Sequence, residues 1–339
     1  MANCISQRNV LAWTATRPLM LQATAFSRWR YLVSNALTMN NPTTVLVTGA
    51  DGFLGHHLAP YLVAQGYKVI AASRTTCGFQ YPNVVAVPLP DLSMPFDWQP
   101  LVQQCDAVVH LAGIAHTSAD DDLYDRVNHR ATEALAHAAF RCGAHLVFVS
   151  SIAAQSGSFS DQVLTENDPP RPSNAYGRSK LAAERAVRAT GASFTILRPV
   201  VIYGDSEKGN FATIHEISRL PIPLPFGGLT ARRSVLSIQN FNSAVETALS
   251  NPGARGETFI VSDPMPVTVA ELIARYRASL GRSPGLIPMP ERWLELSLKA
   301  LGKGATWERI GCPLVACPSK LLAVGWDPPE TPSVPSKPF

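Results

Sequence analysis

The chain has 339 residues, of which 46% are hydrophobic and 16% are charged, and its formal net charge is +4. These values are typical of a globular protein with a sizeable core, formed as one large domain or two modest ones. The sequence has no basic run with interleaved aromatic residues and no apolar run long enough to cross a bilayer. Composition therefore argues against nucleic acid as a partner and against a membrane span.

Six scattered cysteines show neither a C-x-x-C spacing nor paired histidines, so we expect reduced thiols in a cytoplasmic protein and no metal site. The segment 1–41 is unusual because the chain has no acidic residue from Met1 to Ala50. This composition resembles a mitochondrial transit peptide, which makes a mitochondrial location the alternative. We favour an upstream extension before a start at Met39, and we leave 1–41 out of the fold prediction.

From Thr44 onward, short apolar runs alternate with helical patterns. The apolar runs are TVLVTG, KVIAAS, NVVAVPL, AVVHLAG, HLVFVSS and FTILRP. The intervening segments with helical apolar spacing are FLGHHLAPYLVAQG, WQPLVQQC, DLYDRVNHRATEALAHAAFRCG and AYGRSKLAAERAVRATG. This alternation indicates buried parallel strands in βαβ units. The sequence therefore predicts an α/β fold with a Rossmann-type doubly wound parallel sheet over residues 42–203.

Beyond residue 203 the alternation weakens. RLPIPLPFGG is rich in proline and predicts a loop, whereas FNSAVETALSN, VAELIARYRASLG and ERWLELSLKALG predict amphipathic helices. ETFIVSD predicts one more strand, which returns to the sheet. We expect 204–326 to form mainly a smaller C-terminal substrate-binding lobe, and 327–339 to be a Pro-rich tail that cannot form a helix.

The stretch TGADGFLG places three glycines between the first strand and the first helix. In this context Gly49 allows a tight turn, Gly52 lets a pyrophosphate approach the backbone, and Gly55 permits close packing of helix on strand. The helix that begins at Phe53 and Leu54 offers unpaired N–H groups and the positive end of its dipole to the phosphates. The loop therefore predicts a dinucleotide site.

The G-x-x-G-x-x-G spacing resembles the extended branch of the short-chain dehydrogenase/reductase superfamily. Further motifs follow in the same order, over about Val45 to Trp326: Asp91 with Leu92, HLAG with Leu111, Ala112 and Gly113, VNHRAT with Asn128, VSS at 149–151, YGRSK at 176–180, and LRP with YG at 197–204. The resemblance implies that Asp91 contacts the adenine, that Leu92 and Leu111–Gly113 line the cofactor, and that Asn128 has a positioning role. Ala131 departs from the usual glycine of its motif.

Tyr176 and Lys180 match the Tyr-x-x-x-Lys motif of that superfamily, and an i, i+4 pair projects from one helix face. The resemblance implies that Tyr176 moves a proton while Lys180 favours the phenolate and binds the nicotinamide ribose. Ser151 is expected to bind the substrate oxygen, with Ser150 as the alternative. The implied reaction is hydride transfer between a substrate carbon and C4 of the nicotinamide.

The end of the second strand bears on cofactor choice. Members of the superfamily specific for NAD usually carry an acidic residue there for the ribose 2′-hydroxyl, whereas this chain has Ser73 followed by Arg74. A guanidinium and a hydroxyl can bind a 2′-phosphate. We therefore expect NADP(H), with NAD(H) as the alternative.

The superfamily's extended branch acts on nucleoside diphosphate sugars, and the resemblance assigns Asn210, Phe211 and Arg233 to the substrate. We expect a UDP-4-keto-6-deoxy-sugar reductase of surface-polysaccharide synthesis, because Ser73 and Arg74 favour NADP(H). A reductase must exchange its cofactor after each turnover, and NADPH suits this exchange. The alternatives are a UDP-glucose or UDP-N-acetylglucosamine 4-epimerase and, in another class, an inactive NAD(P)-binding scaffold or assembly factor. A dehydratase is less favoured because Ile152 and two alanines follow Ser151 where that chemistry needs an Asp-Glu pair. A homodimer is expected.

Overall fold

The computed structural model describes residues 43–75, 81–115, 119–204 and 210–330, with side chains from residue 214 onward in the last range. The predicted N-terminal extension (1–41) and the end of the predicted tail (331–339) lie outside these residues. Within the described ranges, no helix combines the length and apolarity needed to cross a bilayer.

A sheet of seven strands forms the centre of the protein. Its strands are β1 (Thr44–Thr48), β2 (Lys68–Ser73), β3 (Val84–Pro88), β4 (Ala107–His110), β5 (His145–Val149), β6 (Phe194–Pro199) and β7 (Glu257–Val261). Their spatial order is β3-β2-β1-β4-β5-β6-β7, and every neighbouring pair is parallel. The predicted Rossmann-type fold is confirmed. Residues 257–261 supply the strand at the far edge.

Eleven α-helices lie among the described residues. They are α1 (Phe53–Ala64), α2 (Gln99–Val102), α3 (Asp121–Tyr124), α4 (Ala131–Cys142), α5 (Ala175–Ala189), α6 (Asn210–Arg219), α7 (Ile238–Ser250), α8 (Val269–Ser279), α9 (Glu291–Ala300), α10 (Gly304–Gly311) and α11 (Ser319–Ala323). Short 3₁₀ turns span Ile152–Ala154 and Pro252–Ala254. Two short ladders complete the fold: Val201–Tyr203 pairs with Val235–Ser237, and Arg232–Arg233 pairs with Val267–Thr268.

The core lies on both faces of the sheet, because successive side chains of a strand point to opposite faces. Val47 packs on one face with Leu62 of α1 and Phe241 of α7. Leu46, its neighbour in β1, packs on the other face with Leu135 of α4. Such burial on both faces explains why the strands read as continuous apolar runs.

One predicted helix is not continuous. The segment DLYDRVNHRATEALAHAAFRCG forms α3, a π-helical stretch over Asp125–Arg130, and then α4. Within the π stretch, Asp125 accepts hydrogen bonds from His129 and Arg130, each at 2.7 Å. A π turn changes the direction of the side chains that it carries and often occurs at functional sites. Here it carries Asn128.

Strand order reverses between β1 and β4, whose last residues Thr48 and His110 lie in register. In open α/β sheets, ligands bind outside the carboxyl ends of the strands at such a switch point. The fold therefore places its ligand crevice above the ends of β1 and β4, where the glycine loop and the HLAG segment also lie.

The C-terminal part has a smaller core of its own, formed by residues such as Leu224, Ile273, Leu294 and Trp307. Beside it, the buried guanidinium of Arg277 on α8 donates five hydrogen bonds of 2.8–3.1 Å. The acceptors are the backbone carbonyls of Ser218, Leu220, Ile222, Pro284 and Gly285. Since arginine has five N–H donors, all of them are used. This side chain joins the end of α6 to the loop after α8.

Candidate active site

The glycine loop is shaped by close backbone contacts. Gly49 has a φ of +68°, and a Cβ built there would lie 2.9 Å from the backbone N and Cα of Ala112. A Cβ at Gly55 would lie 2.5 Å from the Cα of Ala50. Both positions therefore exclude any larger residue. These two contacts bring the end of β1 against the HLAG segment and against the first turn of α1.

Gly52 is different, because a Cβ there would meet only the carbonyl of Gly49, at 3.2 Å. Gly52 is the N-cap of α1 and provides no side-chain hydrogen bond, and the first turn, which contains Phe53 and Leu54, has no acidic residue. The helix end thus keeps its positive potential and lacks a side-chain cap. This open cradle fits the pyrophosphate of a dinucleotide.

The side chains at the end of β2 form hydrogen bonds with neighbouring segments of the protein. Ser73 is buried, and its hydroxyl donates to the carbonyl of Thr75 at 2.8 Å. The Thr75 hydroxyl in turn donates to the carboxylate of Asp51, in the glycine loop, at 3.3 Å. Arg74 is exposed. Of the two residues predicted to bind a 2′-phosphate, only Arg74 is therefore exposed to solvent.

Asp91 follows β3 and is exposed, whereas its neighbour Leu92 packs into the core. The backbone N–H of Ser93 donates to the Asp91 carboxylate at 2.9 Å. This hydrogen bond, a second one from the Ser93 hydroxyl, and the charge of Arg74 lower the pKa of Asp91. The carboxylate is thus ionised and able to accept hydrogen bonds at neutral pH.

Asn128 holds the segment after β4. Its side-chain oxygen accepts from the N–H of Ile114, and its side-chain amide donates to the carbonyl of the same residue, both at 2.9 Å. The amide also donates to the hydroxyl of Ser179 on α5 at 3.1 Å. A Cβ built at Gly113 would lie 2.8 Å from the Asn128 oxygen and 3.5 Å from Nζ of Lys180. The π turn, the HLAG segment and α5 therefore meet at one point.

The two adjacent serines after β5 have different environments. The hydroxyl of Ser150 is buried and donates to the carboxylate of Glu184 on α5 at 2.6 Å. Ser151 is the N-cap of the turn 152–154 and accepts from the N–H of Ala153 at 3.1 Å, and its side chain acts to lower the pKa of the Tyr176 phenol. The Ser150 hydroxyl is thus bound to Glu184 in the interior, and Ser151 is the serine beside the tyrosine.

Tyr176 lies in the first turn of α5, which Asn174 caps by accepting from the N–H of Gly177 at 2.8 Å. Burial raises the pKa of the Tyr176 phenol, while the Ser151 side chain acts in the opposite direction. The ring of Tyr124, at the end of α3, lies 6.2 Å from the Tyr176 ring. Tyr176 is therefore a neutral phenol in the ligand-free protein.

Gly177 sets the distance between α5 and the serine turn. A Cβ built at this residue would lie 2.2 Å from the carbonyl oxygen of Ala153. The helix can therefore approach the turn after Ser151 only with glycine at this position. This contact explains the glycine that follows the predicted catalytic tyrosine.

Lys180 is buried one turn after Tyr176. Its ammonium donates to the carbonyl of Val149 at 3.0 Å and lies 5.0 Å from the centre of the Phe148 ring. Burial lowers the pKa of Lys180 to about 8, and the charge of Glu184 acts in the opposite direction. The side chain is thus a cation held at the carboxyl end of β5.

Arg233, predicted to bind a diphosphate, has already formed three hydrogen bonds. Its guanidinium donates to the carbonyls of Glu308 and Cys312 through Nη1, and to the carbonyl of Ser158 through Nη2 at 3.0 Å. Burial lowers its pKa to about 10. Within the described contacts, its Nε–H and one Nη2–H stay available. Asn210 begins α6, but the side chains of Asn210 and Phe211 lie outside the described residues.

Sequence reasoning missed two residues of this site. Glu184 accepts from Ser150 and forms a buried ion pair with Arg198 at 2.6 Å. Its position four residues after Lys180 was a usable signal, because such pairs share a helix face. Tyr124 carried no signal in the sequence. No cluster of three metal-ligating side chains occurs in the part of the chain that is described.

Comparisons with known proteins identify the family of this chain. The family model of the NAD dependent epimerase/dehydratase family matches residues 45–262. UDP-glucose 4-epimerase of Vibrio cholerae is 29% identical over 303 residues, which cover 86% of this chain and 92% of that protein. Ceramide reductase of Caulobacter vibrioides is 31% identical over 58% of this chain and 57% of that protein.

Among solved structures, UDP-glucuronic acid 4-epimerase from Bacillus cereus in complex with NAD is similar with a TM-score of 0.68. It is 20% identical, and the match covers 85% of this chain and 92% of that one. At this identity the likeness concerns the fold alone.

Proposed function

Because this chain belongs to the NAD-dependent epimerase/dehydratase family, we propose that it is a nucleotide-sugar 4-epimerase that oxidises and reduces the same sugar carbon. The observation that carries the proposal is the grouping of three side chains: Ser151 acts to lower the pKa of the Tyr176 phenol, and the buried Lys180 lies one turn further along α5. This arrangement can bind one hydroxyl oxygen and move its proton. The near full-length likeness to a UDP-glucose 4-epimerase supports a UDP-sugar as the substrate.

The roles of the side chains follow from their surroundings. Tyr176 takes the proton of the sugar 4-hydroxyl and later returns it, while Ser151 holds the same oxygen by a hydrogen bond. Lys180 provides a fixed positive charge that favours the phenolate. An oxidised nicotinamide bound there would supply reversible hydride chemistry at the sugar C4 and a positive charge that also favours the phenolate.

Two further groups are proposed to bind the ends of the ligands. The uncapped first turn of α1, at Phe53 and Leu54, holds the pyrophosphate of the cofactor. The free N–H groups of Arg233 donate to the diphosphate of the sugar nucleotide. Since the other donors of Arg233 bind Ser158, Glu308 and Cys312, a diphosphate there contacts a side chain whose position is already fixed.

The environment of β2 supports NAD as the cofactor. The hydroxyl of Ser73 donates a hydrogen bond to the backbone carbonyl of Thr75, and the Asp51 carboxylate accepts from the hydroxyl of Thr75. A carboxylate close to this strand end disfavours a 2′-phosphate and can accept from a 2′-hydroxyl. An epimerase recovers its hydride in every turnover, so firmly bound NAD is sufficient.

A 4-ketoreductase that uses NADPH is the second candidate, and Arg74 is the observation that favours it. The exposed guanidinium next to the end of β2 can bind a 2′-phosphate, and no acidic residue occupies the end of that strand. The preference for NADP(H) made from the sequence stays a prediction. In a reductase, Tyr176 would donate its proton to the 4-keto oxygen as the hydride arrives.

The test is to purify the protein, identify the retained nucleotide by mass and absorbance, and incubate it with UDP-glucose and UDP-N-acetylglucosamine without added cofactor. We expect bound NAD and formation of the 4-epimer, with the rate lowered about 10²- to 10⁴-fold in Tyr176→Phe. A protein without nucleotide that oxidises NADPH with a UDP-4-keto sugar would support the reductase instead. Cofactor binding without turnover of any sugar nucleotide would overturn both and support a scaffold.

A further inference from the structure

Four fully buried residues form a chain of hydrogen bonds beneath the cofactor loops. The hydroxyl of Thr48, at the end of β1, lies 2.7 Å from Nδ1 of His110, at the end of β4. Nε2 of His110 lies 3.0 Å from the hydroxyl of Thr132 on α4, which donates to the backbone carbonyl of Asn128 at 2.7 Å. All four side chains have zero solvent exposure. This chain of hydrogen bonds therefore runs from the central strands to the π turn without contact with water.

The proton positions in this chain follow from its two ends. The hydroxyl of Thr132 donates its only hydrogen bond to the Asn128 carbonyl. Its oxygen must therefore accept from His110, so Nε2 of His110 must carry hydrogen. In a neutral imidazole Nδ1 is then an acceptor, so the hydroxyl of Thr48 donates to it. The oxygen of Thr48 in turn accepts from the N–H of Ala112 at 3.2 Å. Every donor and acceptor is paired only if His110 is the neutral Nε2–H tautomer.

We propose that His110 is a positioning residue for hydride transfer, and that as a neutral Nε2–H imidazole it locks the two segments that hold the cofactor and the catalytic helix. This inference rests on the proposed function. On one side of the imidazole, Thr48 fixes Ala112. On the other side, Thr132 fixes the backbone of Asn128.

The effect reaches the catalytic helix through Asn128. Its side chain clamps both backbone groups of Ile114, so the segment 112–114 is held at both ends. Its amide also donates to the hydroxyl of Ser179, which donates to the carbonyl of Tyr176 at 2.8 Å. An unbroken series of hydrogen bonds thus joins the end of β1 to the residue that moves the proton.

The surroundings of His110 keep it uncharged. Its ring stacks on Phe148 at a centroid distance of 5.9 Å, and the Trp98 ring lies nearly perpendicular to it at a centroid distance of 6.1 Å. The ammonium of Lys180 lies on the same Phe148 ring, 5.0 Å from its centre. Burial lowers the pKa of His110 to about 3, and Lys180, the charged group that acts on it, contributes in the same direction. A protonated His110 would repel the Lys180 ammonium, whose charge the proposed reaction needs.

The direct test is NMR of the full chain labelled with ¹⁵N in the histidine rings, with the His110 signals assigned by their loss in His110→Gln. We expect a protonated Nε2 and an unprotonated Nδ1 that do not change between about pH 5 and pH 8. The Nδ1–H tautomer, or titration within this range, would overturn the proposal whatever the enzyme's substrate is.

The functional test compares three threonine variants. Thr132→Val removes the hydroxyl at nearly constant volume and is expected to weaken NAD binding about fivefold, the effect of one hydrogen bond, and to lower kcat more than it raises the sugar KM. Thr132→Ser restores the hydroxyl and should rescue most of both losses. Thr195→Val is the control, because Thr195 contacts another buried histidine, His145, at 3.2 Å, at the other end of the sheet.

The outcomes separate a positioning role from a structural one. If Thr132→Val and Thr195→Val lower the melting temperature alike and both leave NAD binding unchanged, the chain of hydrogen bonds is merely structural and the proposal fails. Binding of NAD is measured by calorimetry without any sugar. A loss of NAD affinity confined to Thr132→Val would therefore support the proposal even if the epimerase assignment failed.

Discussion

Ser150 and Glu184 are joined by a buried hydrogen bond of 2.6 Å, and this bond leaves Ser151 as the serine beside Tyr176. Ser151→Ala is therefore expected to lower kcat by about 10²- to 10³-fold, because it removes a donor to the substrate oxygen. Ser150→Ala is expected to cost about 1.5–3 kcal/mol of unfolding free energy, the value of a hydrogen bond to a charged group, with a smaller loss of rate. Steady-state kinetics and urea denaturation of both variants measure the losses of kcat and of unfolding free energy. If the larger loss of kcat occurred in Ser150→Ala, the substrate oxygen would be assigned to Ser150 instead.

Lys180 makes stability depend on pH. Its pKa is lowered from 10.5 to about 8 in the folded protein, so between these values the unfolded chain binds more protons and the free energy of unfolding rises with pH. The wild-type protein should therefore gain up to about 1.4 kcal/mol per pH unit relative to Lys180→Met over this range, and nothing below it. Urea denaturation of both proteins at several pH values measures the difference. Parallel curves would contradict the lowered pKa.

Gly177 allows one prediction about spacing. In Gly177→Ala the new methyl group would clash with the Ala153 carbonyl and push α5 away from the serine turn. We expect a loss of about 1–3 kcal/mol of unfolding free energy and a lower kcat, because Tyr176 moves away from Ser151. Gly304→Ala is the control, since nothing lies within 4 Å of its Cβ position. Equal melting temperatures and rates in the two variants would show that the contact is unimportant.

Arg277 allows one prediction about the C-terminal part. Arg277→Met leaves five backbone carbonyls without their donor, of which that of Ser218 belongs to a buried residue, and we expect it to cost about 1–3 kcal/mol of unfolding free energy. The KM for the sugar nucleotide should rise while NAD affinity stays near wild type, since the proposed cofactor site lies at the sheet. Arg282→Met, which removes a single bond to the Arg219 carbonyl at the surface, is the control and should change stability little. An equal loss of NAD affinity and of sugar affinity would contradict this division.

The strands were predictable because burial on both faces of a parallel sheet leaves an apolar run in the sequence. HLVFVSS illustrates this, since all of His145–Val149 is buried. The order of the glycine loop, HLAG and YGRSK fixed which end of the sheet they share, because parallel strands end at one edge. Periodicity could not reveal the π turn, since the apolar spacing on either side of Asp125–Arg130 is that of an ordinary helix.

Side-chain partners distant in sequence were not predictable. Nothing near Ser150 indicates that its hydroxyl binds Glu184, and nothing near Arg233 indicates that its guanidinium binds three backbone carbonyls of other segments. Such contacts depend on how α5 and α10 pack after the sheet has formed. The catalytic roles of Ser151, Tyr176 and Lys180 stay predictions, although the Ser151 side chain acts on the pKa of Tyr176.

The contact of Gly177 with Ala153 also bears on motion. It joins α5 to the turn after Ser151, so the two hydroxyls of the site belong to one rigid body. Little conformational entropy is then lost in assembling them when the sugar arrives. Under the proposed function, affinity for different sugars can therefore change in the C-terminal part around Arg277 without disturbing this pair of hydroxyls.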